Sequence, residues 1–440
     1  MLVKIIEIHI SNKGSDLFTQ LSLYMSKSHN KYPEENQLLE SPLIPHELVA
    51  EILSCLPVKS LIRFKCVCKS WNSLICAPHF VKLHLRRHST PNANPNVLFI
   101  WSTMEAHYGK RNILFFPVKS LLEAPSTITE EPYFLGKLKS RYRIIGSCNG
   151  LVCLLGCRRF KFTSKHECHW FSFWNPAMRK KSQKSPKVPI QGSNDQLDAS
   201  SYGFGYDHIS DTYKVVSVSN DIERNHVRVY NMGDDNWRDI GSFPTFVPIT
   251  GRTNGAHLNG TLNWLICEKP KVDQNGIVMF GVVMSELDSY VILSFNLNNE
   301  GFVKFSLQGM PSVFFQAFDY PELGVLGGSL CVSYHYMGTH FVVWQMKKFG
   351  DEESWIKLLN ICYEDLQPLG LQPQLTPLLP IPPKWFPPTC MLDNGDFLML
   401  GQRFIYNQRD NRFQLLEIPG YFFLDSPHMY YESLVSPCFN

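Results

Sequence analysis

The chain lacks the features that mark membrane and secreted proteins. Among its 440 residues, no apolar run reaches the roughly 18 that a bilayer-spanning helix needs. The N-terminal MLVKIIEIHI is interrupted by Lys4, Glu7 and His9, and no small-residue cleavage site follows it, so no signal peptide is predicted. The 13 cysteines are odd in number and follow no framework spacing. We therefore expect reduced thiols, no membrane partner and a location in the cytoplasm, the nucleus or both.

Charge of one sign is also scarce. The formal net charge is only +3, which gives no general reason to expect nucleic acid as a partner. One basic run, RKKSQKSPK at 179–187, stands apart from the rest. We interpret this run as a solvated loop, with a nuclear-localisation or nucleic-acid role as the alternative.

Motifs for metals and phosphates are missing as well. The densest group of possible zinc ligands contains no C-x-x-C pair, and free cysteine is a common core residue. GFGYD at 203–207 departs from G-x-G-x-x-G and is not followed by a helix, so its glycines are assigned to a close approach of strands. We predict no metal and no other cofactor. The possible ligands are Cys148, Cys153, both in a predicted buried strand, Cys157, His166, Cys168 and His169.

No arrangement of residues predicts catalysis. Neither His208 nor His226 can be paired with an acid from the sequence, and no nucleophile–base pattern occurs. We therefore predict no catalytic residue and a protein that is not an enzyme. Capping of turns explains the acids closest to these histidines, which are Asp207, Asp211, Asp234 and Asp235.

What is present begins with a short apolar segment at 41–80 whose pattern is helical. Pro45 suits a first helical turn, Pro57 ends that helix, and two further short helices follow. Chains below about 40 residues rarely fold unaided, so some of this apolar surface must face another body. Residues 1–40 are predicted to be a mostly disordered extension, with Met25 as an alternative start. The helical stripes contain Leu48, Ile52, Leu53 and Leu56, then Leu61, Phe64, Val67 and Cys68, then Trp71, Leu74 and Ile75.

From about residue 97 the pattern changes to short alternating strands that repeat. One recurring unit is an apolar strand that ends in an aromatic residue followed by Asn or Gln. A second is a turn glycine that leads into a strand, as in SCNGLVCLL, HLNGTLNWL, VLGGSLCVSY and LDNGDFLML. The aromatic pairs recur 49 to 65 residues apart, and they are Trp174-Asn175, Tyr230-Asn231, Phe295-Asn296, Trp344-Gln345 and Tyr406-Asn407.

This spacing is typical of β-propeller blades. A single four-stranded sheet cannot cover both of its faces, whereas blades packed around an axis cover each other, with aromatic residues filling the wedges. We predict an all-β propeller of about six blades, closed by strands from the two ends of the chain, behind a small all-α segment. A tandem of β-sandwiches is the alternative, because the repeat spacing is irregular.

The apolar segment resembles the F-box of plant proteins, and the body resembles the F-box-associated, kelch-like domain. In the body the typical phrases are GSCNGLVCL at 146–154, WNPAMRK at 174–180 and YGFGYDHISDTYKVV at 202–216. The resemblance implies an F-box domain at 41–86 and a kelch-like β-propeller at 95–436. In the F-box the matching residues are Leu43 with Pro45, Glu47-Leu48, Glu51-Ile52-Leu53, the stretch from Leu56 to Leu61, and Val67-Cys68-Lys69-Ser70-Trp71.

What the family implies is a role in ubiquitination. An F-box docks on a Skp-type adaptor, which connects to a cullin and a RING protein, and the other domain holds a target. The chain would then be the substrate-recognition subunit of a Skp–cullin–F-box ubiquitin ligase, without an active site. The alternative is a propeller outside the ubiquitin system that binds or acts on carbohydrate or small molecules. The residues expected to face the adaptor are Leu43, Ile44, Pro45, Leu48, Ile52, Leu56, Val58 and Leu61, and those expected in the F-box core are Leu53, Phe64, Val67, Cys68 and Trp71.

A proline-rich stretch at 366–388 is predicted to be a long connection between strands. Proline cannot donate a hydrogen bond to a sheet, and long loops on rigid scaffolds often carry binding. The neutral interpretation is a surface loop. The functional hypothesis is a loop that contacts the target, with Trp385 and Phe386 as anchors, because aromatic residues dominate binding hot spots.

Overall fold

The computed structural model describes a helical unit followed by a ring of β-sheets. None of the helices that it describes is long and apolar enough to cross a bilayer. The predicted extension at 1–40, the residues 43–45 and the pair Trp385-Phe386 lie outside the described residues. These described residues are 46–88, 95–102, 111–123, 141–158, 168–188, 200–220, 225–242, 254–268, 285–311, 314–315, 321–369, 387–416, 422–423 and 427–438.

The helical unit, residues 46–88, contains four short helices: α1 (His46–Ser54), α2 (Val58–Phe64), α3 (Lys69–Cys76) and α4 (Pro78–His88). Local chemistry sets their ends. Pro57 is extended at the start of α2, and the Sγ of Cys68 accepts a hydrogen bond from the backbone N–H of Trp71 at the start of α3. The sequence predicted three helices, and α4 is the addition. It begins at a proline, which suits a first turn, and its last turn is basic, which suits the negative end of the helix dipole.

The core of the helical unit is small and includes a residue from the far end of the chain. Leu61, Ile75 and Phe80 are fully buried in it. Leu434, near the C-terminus, packs into the same cluster, and Ala177 of the propeller packs against it. The other buried members of the core are Leu53, Leu56, Val58 and Phe64.

Six sheets form the blades of the propeller, as the repeat predicted. Neighbouring strands within each blade are antiparallel. Blade 1 consists of β1 and β2 with β25 and β26, blade 2 of β3–β6, blade 3 of β7–β10, blade 4 of β11, β12, β14 and β15, blade 5 of β17–β20, and blade 6 of β21–β24; β13 pairs with β16 outside the blades.

The strands are β1 (Asn96–Ser102), β2 (Arg111–Pro117), β3 (Arg141–Cys148), β4 (Leu151–Arg158), β5 (Cys168–Asn175), β6 (Lys180–Lys181), β7 (Ser200–Asp207), β8 (Thr212–Asn220), β9 (Asn225–Asn231), β10 (Arg238–Gly241), β11 (Ala256–Leu258), β12 (Thr261–Cys267), β13 (Ser285–Glu286), β14 (Tyr290–Asn296), β15 (Phe302–Ser306), β16 (Phe314–Phe315), β17 (Glu322–Leu326), β18 (Ser329–Tyr336), β19 (His340–Met346), β20 (Trp355–Cys362), β21 (Cys390–Met391), β22 (Phe397–Met399), β23 (Phe404–Asn407), β24 (Arg412–Leu415), β25 (Phe422–Phe423) and β26 (His428–Tyr430). A further helix, α5 (Val118–Glu123), follows β2.

Each pair of adjacent blades shares an apolar cluster, so the ring is closed by packing. The clusters lie between blades 2 and 3, 3 and 4, 4 and 5, 5 and 6, 6 and 1, and 1 and 2. In β8, Val215 faces blade 2 and Val216 faces blade 4, because successive side chains of a strand point to opposite faces. This two-sided burial is what the alternating sequence pattern reflects.

The ring is also closed, as predicted, by hydrogen bonds between strands from both ends of the chain. β26 pairs with β1 through Val97 and Met429, and β25 pairs with β1 through Trp101 and Phe423. Residues 431–438, which follow Tyr430, contain no further strand.

The recurring aromatic-Asn pairs lie at the end of the third strand of blades 2, 3, 4 and 6, and Trp344-Gln345 lies near the end of that strand in blade 5. The asparagine shapes the turn to the outermost strand. Asn296 Oδ1 accepts hydrogen bonds from the backbone N–H of Asn298 and Asn299, and Asn407 Oδ1 accepts one from Asp410. The repeat in the sequence therefore records a repeated turn, for which asparagine suits the backbone.

The glycines of GFGYD allow close packing, as predicted. Gly203 and Gly205 lie in β7, the innermost strand of blade 3. A Cβ at Gly203 would lie 2.8 Å from Leu262 Cδ1 of blade 4, so a side chain there would have to displace Leu262.

Candidate functional site

The helical unit lies against one end of the propeller, which we call the helix side. Lys82 Nζ of α4 is 2.6 Å from Asp211 Oδ2, in the turn between β7 and β8. Ala177, in the turn after β5, and Leu434 contact the core of the helical unit. The opposite end of the blades is called the far side. The molecule therefore presents two separate surfaces, one on the helices and one on the far side.

Part of α1 is left uncovered by the chain. Leu48 is 48% exposed and Ile52 is partly exposed. The two residues are four apart in α1, so they lie on the same face of the helix. Leucine exposed in this way on a packed helix is suited to contact with another protein. Leu43, Ile44 and Pro45, which the sequence placed on the same surface, precede α1 and lie outside the described residues.

Three residues that we expected to face a partner are instead inside the core. Leu56 is 4% exposed, Val58 1% and Leu61 0%. Val58 and Leu61 are three residues apart in α2, so both point into the core with Phe64. In this conformation these three residues are not accessible to a partner, and the uncovered apolar face lies on α1.

The residues predicted to form the F-box core are buried to different degrees. Leu53 and Phe64 are each 2% exposed, whereas Val67, Cys68 and Trp71 are partly exposed. The ring centroids of Phe64 and Trp71 are 5.5 Å apart in an edge arrangement, so Trp71 covers the end of α2.

Two residues of α4, which sequence reasoning missed, hold α1 in place. Arg87 donates hydrogen bonds to the carbonyl of Glu51 at 2.9 Å and to Ser54 Oγ at 2.6 Å, and it pairs with the Glu51 carboxylate. His84 is buried, and its Nε2 is 2.9 Å from the carbonyl oxygen of Leu56. Burial lowers the pKa of His84 to about 4, so the ring is neutral near pH 7. The basic last turn of α4 was the signal that could have identified this contact.

The far side receives the long connections between strands. On the helix side, blades 2, 4 and 5 turn from first to second strand within two residues, at 149–150, 259–260 and 327–328. On the far side lie the strand ends that the longer connections join: β4 and β5 (connection 159–167), β12 and β14 (connection 268–289), and β20 and β21 (connection 363–389). The predicted proline-rich connection is the last of these, and its anchors Trp385 and Phe386 lie outside the described residues.

The basic run at 179–187 is not a free loop. Its backbone pairs with β5, because the N–H of Ser182 donates to the carbonyl of Phe173 at 2.7 Å and that of Ser185 to Phe171 at 2.8 Å. Lys184 Nζ lies 4.1 Å from the ring centroid of Trp170. The run is the outer edge of blade 2, where lysine is common because it discourages pairing with other sheets.

Three of the residues weighed as zinc ligands, Cys148, Cys153 and His169, are buried in the packing of the propeller. Cys148 and Cys153 are buried between blades 2 and 3, as predicted. Burial raises the pKa of both thiols, that of Cys148 to about 12, so both are neutral. His169 Nδ1 lies 2.8 Å from Tyr202 Oη. Within the described ranges, no three His, Cys, Asp or Glu side chains are grouped as metal ligands would be.

Fold and surface together define a class: a β-propeller with an N-terminal helical unit that leaves one apolar helix face uncovered. Comparison with known protein families gives a match for each of the two parts of the chain. The profile of the F-box domain matches residues 42–83, and that of the F-box associated beta propeller domain matches residues 117–379. The chain therefore belongs to the F-box proteins that carry this propeller.

Similar proteins occur in Arabidopsis thaliana. An F-box/kelch-repeat protein is 30% identical over 346 residues, which cover 76% of this chain and 85% of that protein. The F-box protein CPR1 is 25% identical over 347 residues, covering 72% of this chain and 73% of its own length. Among solved structures, a prolyl endopeptidase chain aligns over 81% of this chain and 54% of its own, with a TM-score of 0.29 and 9% identity, which supports no inference.

Proposed function

We propose that this protein is the substrate receptor of a Skp–cullin–F-box ubiquitin ligase. The F-box implies a Skp-type adaptor as partner, and through it a cullin and a RING protein. The observation that carries the proposal is the uncovered α1 face: Leu48 is 48% exposed in a unit whose other leucines are largely packed. In this proposal the adaptor covers Leu48 and Ile52, together with the segment that precedes α1.

The target is proposed to bind at the far side of the propeller. That side receives the long connections, and binding residues concentrate on loops held by a rigid scaffold. The helix side has short turns and is partly occupied by the helical unit. Within the far side, we propose that the connection at 363–389 takes part, with Trp385 and Phe386 as anchors.

The proposed mechanism is proximity and needs no active site in this chain. Binding the adaptor at one end and the target at the other raises the local concentration of target lysines near a ubiquitin-charged enzyme. F-box proteins are in general adaptors without catalysis. The proposal places the protein in the cytoplasm, the nucleus or both.

Co-purification with a Skp-type adaptor tests the docking surface. Leu48→Asp places a charge on the proposed contact, and we expect binding to weaken by at least roughly 30-fold, as for a truncated hot spot. Leu415→Asp is the matched control, because Leu415 is also exposed, at 45%, but lies in blade 6. Circular dichroism should show that both variants remain folded. Equal adaptor binding by the two variants would reject α1 as the docking surface.

The far side is tested separately by deletion of residues 371–384. Partners that co-purify with the intact protein and also with a chain lacking residues 41–80 are candidate targets. We expect the deletion to remove these partners and to leave the adaptor bound. If every such partner is retained, the proline-rich connection does not contact the target.

A further inference from the structure

The C-terminal segment 431–438, here called the strap, runs between the helical unit and blade 2. It follows β26, the strand that closes the ring, and contains neither helix nor strand. Ser433 is fully buried and Leu434 is 3% exposed. Segments without helix or strand ordinarily run over the protein surface, because their backbone polar groups need water or other partners. The burial of Ser433 and Leu434 therefore indicates that specific contacts hold this segment in place.

One side of the strap is bound to blade 2 by hydrogen bonds. Asn175 Nδ2 donates to the carbonyl oxygens of Ser433 at 2.9 Å and of Val435 at 2.8 Å. Ser433 Oγ donates to the carbonyl oxygen of Asn149 at 2.7 Å. Asn175 is the recurring asparagine of blade 2, and its amide is used here for the strap. Asn175 Oδ1 also accepts a hydrogen bond from the backbone N–H of Met178, so Asn175 caps its turn as Asn296 and Asn407 do, while its Nδ2 holds the strap.

The other side of the strap is part of the helical core. Leu434 belongs to the same buried cluster as Leu61, Ile75 and Phe80. Ser433 and Leu434 are adjacent and contact opposite bodies, as expected of extended backbone, in which successive side chains alternate. The strap therefore joins the propeller to the helices through one apolar and several polar contacts.

Among the described residues, one side-chain ion pair also joins the helical unit to the propeller, and it is weak compared with the contacts of the strap. Lys82 and Asp211 are 47% and 54% exposed, and ion pairs at such exposure contribute little. Leu434, by contrast, fills part of a core too small to be stable alone.

We propose that the strap is an integral part of the F-box unit and fixes its position on the propeller. Leu434 is thus a positioning residue. Under the proposed function, it would set where the adaptor stands relative to a target on the far side. The structural half of this inference does not depend on the identity of any partner.

Hydrogen exchange followed by mass spectrometry on the full chain tests the inference. In Leu434→Asp, we expect exchange of helices α1–α4 to rise by roughly 30-fold or more, because a buried leucine is lost from their core. Strands of blades 3 to 5 should keep their protection. Leu415→Asp is the control and should change neither. A chain that ends at Glu432 retains β26 and should behave as Leu434→Asp does.

A second pair of variants tests the strap by a substitution in the propeller residue that lies against it. Gly150 in blade 2 and Gly260 in blade 4 occupy equivalent Asn-Gly turns, and their φ angles are similar, 76° and 73°. A Cβ at Gly150 would lie 2.5 Å from Ser433 Cβ, whereas one at Gly260 would meet only His208 at 3.5 Å. Both substitutions to alanine strain the turn. Only Gly150→Ala should also increase exchange in α1–α4.

Two outcomes would overturn the inference. In the first, α1–α4 keep their protection in Leu434→Asp and in the chain ending at Glu432. In the second, the blades lose protection together with the helices, since the strap would then belong to the ring. Failure of the unmodified protein to bind a Skp-type adaptor would reject the proposed function alone, because the exchange measurement needs no adaptor.

Discussion

Each blade of the propeller is covered on both faces by its neighbours, whereas the helical unit leaves Leu48 exposed and takes Leu434 from the other end of the chain. The difference follows from repetition. Six similar sheets closed in a ring provide a partner for every apolar face. A single copy of a four-helix unit has no such neighbour, so its surface depends on other parts of the chain and on other proteins.

The largest effect is expected where two blades meet. Phe295 is fully buried between blades 3 and 4, with its ring centroid 4.9 Å from that of Phe302. Phe295→Ala should lower the free energy of unfolding of the propeller by about 3–5 kcal/mol, because it leaves a cavity. Urea unfolding followed by tryptophan fluorescence measures this. Val303→Ala in the same blade is the control, since Val303 is 55% exposed. A loss below about 1 kcal/mol would contradict tight packing between the blades.

A smaller effect is expected from a buried ion pair within blade 3, whose lysine also reaches blade 4. Lys214 Nζ is 3.0 Å from Asp207 Oδ2, and it also contacts Glu300 of the turn between β14 and β15 at 3.2 Å. Both Lys214 and Asp207 are nearly inaccessible to solvent. Asp207→Asn leaves the ammonium group less compensated and should cost about 2–3 kcal/mol at pH 7. The same urea titration measures the loss, and an unchanged midpoint would count against it.

The pH dependence of stability provides an independent check on Asp207. Burial acts to raise the pKa of this carboxyl, but hydrogen bonds from Ser210 and Lys214 outweigh it and lower the pKa to about 2, from 3.8. A carboxyl with a depressed pKa in the folded state stabilises above its unfolded pKa. The contribution is therefore complete above about pH 4 and is lost as the pH falls towards 2. Asp207→Asn should flatten the stability profile in that window, and an unchanged slope would refute the assignment.

The smallest effect is expected at the polar contact between the helices and the propeller. The hydrogen bond from Lys82, followed by that from Tyr206, lowers the pKa of Asp211. Because both partners are about half exposed, Lys82→Ala should cost less than about 1 kcal/mol and less still in high salt. Thermal unfolding at two salt concentrations measures it, with Lys348→Ala, 80% exposed, as control. A loss above about 2 kcal/mol would mean that this ion pair, rather than Leu434, dominates the contact.

The sequence predicted most where a pattern repeats. The aromatic-Asn pairs and Asn-Gly turns identified the blades, because each marks a local turn that asparagine and glycine favour. The helical stripes predicted apolar faces but not which of them turns inward. Leu56, Val58 and Leu61 were assigned to a partner and lie in the core, in the same cluster as Ile75 of α3 and Phe80 of α4. No local pattern reveals such an orientation.

By itself, the sequence determined the class of the two regions, helical and then β-propeller, the approximate number of blades, and the closure of the ring by both ends of the chain. These features depend on local turns and on alternation of side chains, which neighbouring residues decide. Only the tertiary structure decided which apolar residues of the helical unit stay uncovered and that Leu434 completes its core. A cluster of residues far apart in the chain, such as the one that contains Leu61 and Leu434, leaves no periodic trace in the sequence.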